Sequence, residues 1–388
     1  MTTSYESELR KFFAPEFIFG TGARKLAGRY AKNLGLNKVL IVTDKNIKTK
    51  FFYEDMIKSL EERNIQYAVF DEISPNPREY EVMNGVELYI KERCRGIISI
   101  GGGSPMDCAK GIGIVVSNGG EILQFEGVDK IPKTIPPLIF IPTTAGTASE
   151  VSQFTIINNS REHVKIAIIS KSIVPDIALI DPETTLTMDR YLSACTGVDA
   201  LVHAIEAYVS TAAFPVTDLH AVEAIKTVYG YLPKVIAEPE NITYRSKMMY
   251  ASLQAGLAFS NAILGAVHAM AHSLGGLLDL PHGECNALLL NSVVDFNYPA
   301  RCDKYDNILQ EIGIKISGMG LPARKKALLD SIEELKQSVG INKTLSKVGV
   351  TRENIPLLAA KAVKDPCILT NPREVKLEEA EELYERAL

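Results

Sequence analysis

The chain has 388 residues, 46% hydrophobic and 23% charged, and its 42 Lys and Arg against 47 Asp and Glu leave a formal charge of −5. That length exceeds what one core usually serves and calls for two domains, while a mildly acidic balance without a basic block excludes polyanion binding and a nucleic-acid partner. Six scattered cysteines without a CxxC pair, a charged N-terminus MTTSYESELRKFF and the lack of an apolar run approaching the roughly 18 residues of a membrane span predict a reduced, cytoplasmic protein with no membrane partner.

In chain order, the β-branched runs KVLIVTD (38–44), QYAVFDE (66–72), GIISIGGG (96–103) and PLIFIPTT (137–144) alternate with charged, helix-like text. Such runs read as buried parallel strands, and 47–63 and 79–94 are long enough for crossover helices, which predicts an open, helix-flanked α/β sheet. Asp44 ends the first run, where a carboxylate suits both ribose hydroxyls and repels a 2′-phosphate, or equally caps the next helix. At GIISIGGGSPMDCAKG a strand enters glycines and then a helix predicted to begin near Met106, whose free N–H groups attract a pyrophosphate. Met106 stands where G-x-G-x-x-G needs its third glycine, so this segment alone also fits an ordinary tight turn. IPTTAGTASE (141–150) adds the hydroxyls of Thr143, Thr144, Thr147 and Ser149 after another strand. Polar loops at the C-terminal ends of strands are where an α/β sheet binds ligands.

The runs FTIIN (154–158), KIAIIS (165–170) and IALID (177–181) are too close together for intervening helices and are predicted as antiparallel additions. After DPETT the β-branched runs stop and helical spacing takes over. This divides the chain into an α/β dinucleotide-binding domain, 1–183, and an all-helical metal-binding domain, 184–388. In the second, Asp199 and His203 lie four apart on one helix face, His268 and His272 repeat the spacing, and His282 follows in an LPHG turn. One Asp with several His suits a divalent Fe, Zn, Ni or Co ion better than Ca or Mg. The other reading is hydrogen-bonded core histidines. A buried Asp199 with no Lys or Arg in 191–225 favours a cation.

The segments GGGSPMDCAKG, IPTTAGTASE, GVDALVHAIEAY, HAMAHSLGG and PHGECNA resemble the GGGSxxDxAK loop, the PTTAGTGSE segment and the metal-binding signatures of the iron-containing (group III) alcohol dehydrogenase family, across essentially the whole chain. The resemblance implies the dehydroquinate synthase-like architecture: a nucleotide-binding α/β domain, an all-α C-terminal domain and an active site between them. It implies Asp199, His203, His268 and His282 as ligands of Fe2+, with Zn2+ as the alternative, and His272 beside the ion as a non-ligand near nicotinamide and substrate, the expected proton relay. For NAD it implies Asp44 at the adenosine ribose, Asn76 in the SPNP turn, and Gly102, Gly103 and Ser104 at the pyrophosphate with Asp107 of the same motif. Thr143, Thr144, Thr147 and Lys165 fall nearer the nicotinamide half, and Ser149 of the same loop counts among the cofactor contacts. Ala148 stands where the family pattern usually has glycine, and its methyl group is expected to tighten the loop or shift the cofactor. Cys367 in DPCILTNPR is brought near the substrate by the resemblance, with a buried structural thiol as an equal reading.

The expected activity is therefore an NAD-dependent, metal-assisted alcohol dehydrogenase or aldehyde reductase for small primary alcohols or diols, moving a hydride between alkoxide C1 and nicotinamide C4. A homo-oligomer is expected from the apolar helical surface. A dehydroquinate synthase-type lyase is the alternative enzyme, but it needs Lys and Arg converging on an acidic substrate, and 195–215 and 256–290 contain none. A non-catalytic, metal-stabilised scaffold is the alternative of another class, and it has no need of the dinucleotide loops. Phe259, Ile263 and Cys367 are open between cleft lining and core.

Overall fold

The computed structural model describes residues 9–162 and 164–388. Its strands in chain order are β1 (Glu16–Phe19), β2 (Lys38–Val42), β3 (Gln66–Phe70), β4 (Gly96–Gly101), β5 (Gly127–Val128), β6 (Leu138–Pro142), β7 (Phe154–Asn159), β8 (Val164–Ile169) and β9 (Ile177–Ile180). Six of them form one sheet in the order β1-β9-β6-β4-β2-β3, every neighbouring pair parallel. Four helices accompany them: α1 (Ala27–Asn33), α2 (Phe51–Glu61), α3 (Glu79–Lys91) and α4 (Gly103–Asn118). Alternate side chains serve two cores. Leu40, Val42, Ile97, Leu138 and Phe140 face one, and Val39, Ile41, Ile98, Ile100, Ile139 and Ile141 face the other. Both faces are covered, which is why these runs are apolar throughout instead of alternating.

Two expectations are corrected. The helix after β4 starts at Gly103, ahead of Met106, because Gly102 is already an extended cap and Pro105 in the first turn has no N–H to lose. Of the three runs between 154 and 181, β7 and β8 do pair antiparallel, in a small sheet ordered β5-β8-β7. β9 instead pairs parallel with β1 and β6 inside the main sheet. Its four residues are all buried, and an interior place in the sheet covers both faces.

From Arg190 onward the described chain is helical: α5 (Arg190–Val209), α6 (Pro215–Ala237), α7 (Ile242–Ala262), α8 (Ala266–Leu278), α9 (His282–Asn297), α10 (Cys302–Glu311), α11 (Leu321–Ser338), α12 (Ile355–Ala362) and α13 (Leu377–Ala387). Every residue of α5 from Ser193 to Val209 is buried, with α6, α7 and α9 packed around it. A helix enclosed on all sides has no polar stripe, and its polar residues Asp199, His203 and Glu206 must find partners inside. Between α7 and α8 the chain bends by 102° through Ile263, a β-branched residue in the left-handed region at φ 62°. Among the described residues no single helix is long and apolar enough to cross a membrane.

Candidate active site

The C-terminal ends of β2, β4 and β6 and the start of α4 open onto one cleft of about 1030 Å3, closed on its far side by α5, α7, α8 and α9. On the sheet side it is lined by Asp44, Asn76, Gly102, Gly103, Ser104, Asp107, Thr143, Thr144, Thr147, Ser149 and Lys165. On the helical side it is lined by Asp199, His203, His268, His272 and His282. Residues that sequence singled out in separate segments thus share a single cavity.

The sheet side is built by close approach. Gly102 caps α4 with no side-chain hydrogen bond, so the N–H groups of the first turn face the cleft without a capping group. A Cβ on Gly102 would lie 3.2 Å from the Thr144 side chain, and one on Gly103 3.0 Å from that of Thr147. Glycine suits both positions because the threonine loop packs directly on the helix start, and an added Cβ would press on it. Asp44 Oδ1 accepts the N–H groups of Asn46 at 2.9 Å and Ile47 at 3.0 Å, so it caps the following turn while lining the cleft. Asn76, left-handed at φ 58°, donates its N–H to Ser104 Oγ at 3.2 Å and accepts from Lys165 Nζ at 2.7 Å. It also donates from Nδ2 to Asp279 Oδ1 at 2.8 Å, and Arg78 joins Asp279 Oδ2 at 2.9 Å. These bonds tie the SPNP turn to the end of α8.

Beneath the loops lies a charged cluster of which sequence reading named Asp107 and Ser149 but missed Lys110 and Glu150. Ser149 Oγ donates to Asp107 Oδ1 at 2.9 Å, and the fully buried Lys110 donates to the carbonyls of Ser152 and Phe154 at 2.9 and 2.7 Å. Burial pushes Asp107 up to about 6 against the pull of Lys110, and pushes Lys110 down to about 8. Glu150, in the same interior, is pushed up to about 7 by burial. Asp107 and Lys110 share a helix face in DxxK, and that spacing was the available signal.

On the helical side, α5 supplies Asp199 and His203, α8 supplies His268, and His282 is the first residue of α9. One ligand atom from each lies within 4.8 Å of the others. His203 Nδ1 is 3.9 Å from Asp199 Oδ2, while His268 Nε2 and His282 Nε2 are 3.9 and 3.8 Å from Asp199 Oδ1. His203 Nδ1 is buried without a hydrogen-bond partner. Asn286 Nδ2 donates to Asp199 Oδ1 at 2.6 Å and stands 3.1 and 3.3 Å from the two Nε2 atoms. Lone pairs from two helices and a helix start therefore converge on one point. Burial pushes His203 down to about 3, pushes His268 and His282 well below the usual imidazole range and raises Asp199. Neutral imidazoles with one carboxylate are the donor set that a divalent transition ion takes without competing protons, so these residues fit such an ion.

Two further carboxylates orient the α8 histidines. Glu206 Oε2 bonds His268 Nδ1 at 2.5 Å while Oε1 accepts the Val267 N–H at 2.7 Å, and burial raises Glu206 to about 8. Asp365 Oδ2 bonds His272 Nδ1 at 2.8 Å. Glu206 and Asn286 lay within reach of sequence reading, since each is one helical turn or less from a ligand candidate; Asp365 carried no such signal. Cys367 is fully buried and does not line the cleft, and burial pushes its thiol far up; its Sγ lies within 4.8 Å of a His272 ring nitrogen and an Asp365 oxygen. Phe259 lines the cleft and stacks on His203 at 4.3 Å between ring centroids, whereas Ile263 does not line it.

Compared with known proteins, residues 14–182 match the family described as iron-containing alcohol dehydrogenase, and residues 193–388 match the Fe-containing alcohol dehydrogenase family, C-terminal. The chain belongs to the iron-containing alcohol dehydrogenase family. Its relatives include the NAD-dependent methanol dehydrogenase of Bacillus methanolicus, 38% identical over 97% of this chain and 99% of the relative. The 1,3-propanediol dehydrogenase of Klebsiella pneumoniae is 39% identical over 95% of this chain and 96% of its own. Among solved structures, an alcohol dehydrogenase from Oenococcus oeni superposes with a TM-score of 0.94 at 35% identity, covering 98% of this chain and 100% of that one. As an iron-containing alcohol dehydrogenase, the chain places few cations in its cleft: among the described lining residues only Lys45 and Lys165 carry a positive charge besides any protonated histidine.

Proposed function

We propose that this protein is an NAD-dependent alcohol dehydrogenase or aldehyde reductase for small primary alcohols or diols, with Fe2+, or Zn2+ in its place, held by Asp199, His203, His268 and His282. The observation that carries the reading is that the four converging donors and the dinucleotide-type loops line one cleft. The relatives named for NAD-dependent methanol and for 1,3-propanediol oxidation support the substrate class. A divalent ion in the site supplies Lewis acidity toward an alcohol or carbonyl oxygen.

The rest is done by the chain. Asp44 receives the adenosine ribose and disfavours a 2′-phosphate. The start of α4 with Gly102, Gly103 and Ser104 takes the pyrophosphate, while Asn76, Thr143, Thr144, Thr147 and Lys165 flank the nicotinamide half. Asp107 and Ser149, bonded to one another, hold the threonine loop against α4. Phe154, Phe259 and Leu264 give the inner cleft an apolar wall that excludes water. His272 accepts and returns the hydroxyl proton.

The lyase alternative needs several cations around an acidic substrate, and the cleft's Lys45 and Lys165 lie among the dinucleotide loops. A scaffold has no use for those loops. The reading places the enzyme in the cytoplasm, supported by the charge of −5 and six unpaired cysteines. It includes a homo-oligomer, supported by exposed Phe17 and Phe19 on the outer strand β1.

The test is anaerobic purification with metal analysis, followed by NADH consumption on a panel of small aldehydes and NAD reduction on alcohols and diols. Stoichiometric metal with aldehyde-dependent NADH loss, both abolished in His268→Ala, is expected. Metal and NADH bound without turnover on any member would move the assignment to the lyase.

A further inference from the structure

His272 is a cleft histidine whose Nδ1 is anchored by a carboxylate from outside the metal-site helices. Its Nδ1 meets Asp365 Oδ2 at 2.8 Å, and both side chains are more than nine-tenths buried. Asp365 is itself immobilised, because its Oδ1 accepts the Cys367 N–H at 2.8 Å as the cap of the short helix Pro366–Thr370. The His272 ring stacks on His282 with centroids 5.3 Å apart and planes 17° apart. Face and one edge of the ring are thus fixed by different elements, and His272 lines the cleft.

We propose that Asp365 is a positioning residue for proton transfer: by taking the Nδ1–H of His272 it fixes the tautomer whose Nε2 lone pair faces the substrate. A carboxylate accepts but does not donate, so the proton in this bond resides on Nδ1. Asp365 is held below the usual carboxylate range, because the attraction of His272 and the hydrogen bonds from His272 and the Cys367 N–H outweigh burial. The proposal rests on the dehydrogenase reading. With an oxidised nicotinamide bound to take the hydride of the alcohol's C1, the O–H bond would break, its proton would form a bond to His272 Nε2, and solvent would later take that proton from the ring. Asp365 keeps its charge throughout and compensates the transient imidazolium, and it touches neither substrate nor cofactor.

Two measurements test it. In protein with 15N-labelled histidine, NMR of the wild type is expected to show His272 as the Nδ1–H tautomer, and D365N to show a mixture. In kinetics, D365N is expected to lower kcat by about 10²-fold with little change in KM, while adding D365N to H272Q lowers it less than twofold further. D365E, which retains the acceptor, recovers part of the loss. A wild-type Nε2–H tautomer, or equal losses from D365N in both backgrounds, would overturn the proposal, and the wild-type spectrum decides even if D365N does not fold. The Nδ1–H tautomer in a protein that oxidises no alcohol would support the anchor and count against the dehydrogenase reading alone.

Discussion

Ala148 sits in the left-handed region at φ 49°, and its methyl group faces Gly256 of α7, where an added Cβ would lie 2.5 Å from it. The residue that departs from the family's usual glycine is thus accommodated by a glycine on a neighbouring helix. Left-handed backbone disfavours alanine by roughly 1–2 kcal/mol, while the methyl fills a buried gap that would otherwise lose contacts. Gly256→Ala is expected to destabilise by about 1–3 kcal/mol through overpacking, since Val151 is also only 2.6 Å away. Ala148→Gly should restore more stability in that background than it changes in the wild type. Denaturant unfolding of the four proteins checks this, and additive effects would show that the two sites are not coupled.

Asp199 is a buried carboxylate that burial raises, facing imidazoles that burial keeps neutral. Asp199→Asn keeps an oxygen for the Asn286 donor but removes the buried charge. Metal-free protein should therefore keep or raise its Tm in the variant. The stabilisation by added ion, about 4 kcal/mol at a thousandfold excess over Kd, should be lost. Thermal melts with chelator and with Fe2+ or Zn2+ distinguish the two terms; an undiminished ion-induced shift would show that Asp199 is not a ligand.

Glu150 contributes a pH dependence of definite sign. Its folded-state value is raised from 4.5 to about 7 by burial, so the stabilisation it gives is complete below about 4.5 and is lost as pH rises through about 7. Glu150→Gln lacks that loss. The stability difference, variant minus wild type, should grow in favour of the variant between pH 4.5 and 7. Urea unfolding across this window measures it, and parallel curves would contradict the assignment.

The bonds from Asn76 and Arg78 to Asp279 cross the mouth of the cleft. Asp279 is half exposed, where one ion pair contributes only about 0.2–1 kcal/mol. Asp279→Ala, which removes both bonds, is expected to raise the NADH dissociation rate a few-fold, and Arg78→Ala less. Stopped-flow NADH fluorescence measures both. Rates unchanged in each would mean that the cleft opens elsewhere.

In the sheet-bearing half, much was legible because local chemistry and final environment agree. KVLIVTD and GIISIGGG are apolar on both faces because each face has its own core, and the loops that follow them are polar because they end at the cleft. IALID misled for the opposite reason: its short spacing from KIAIIS suggests a hairpin, whereas β9 is drawn between β1 and β6 by the burial of all four of its residues.

At the site, helical spacing identified Asp199 with His203 and His268 with His272, because a four-residue interval alone places two side chains on one face. Their shared cavity with the threonine and glycine loops, the role of Asn286 between the donors, and the carboxylates behind His268 and His272 were decided by tertiary packing. Glu206 reaches His268 across 62 residues and Asp365 reaches His272 across 93. A sequence by itself determines periodicity, caps and the chemistry of its side chains; which charge meets which partner over such separations depends on the enclosure of α5 and the bend at Ile263, and only the folded chain specifies those.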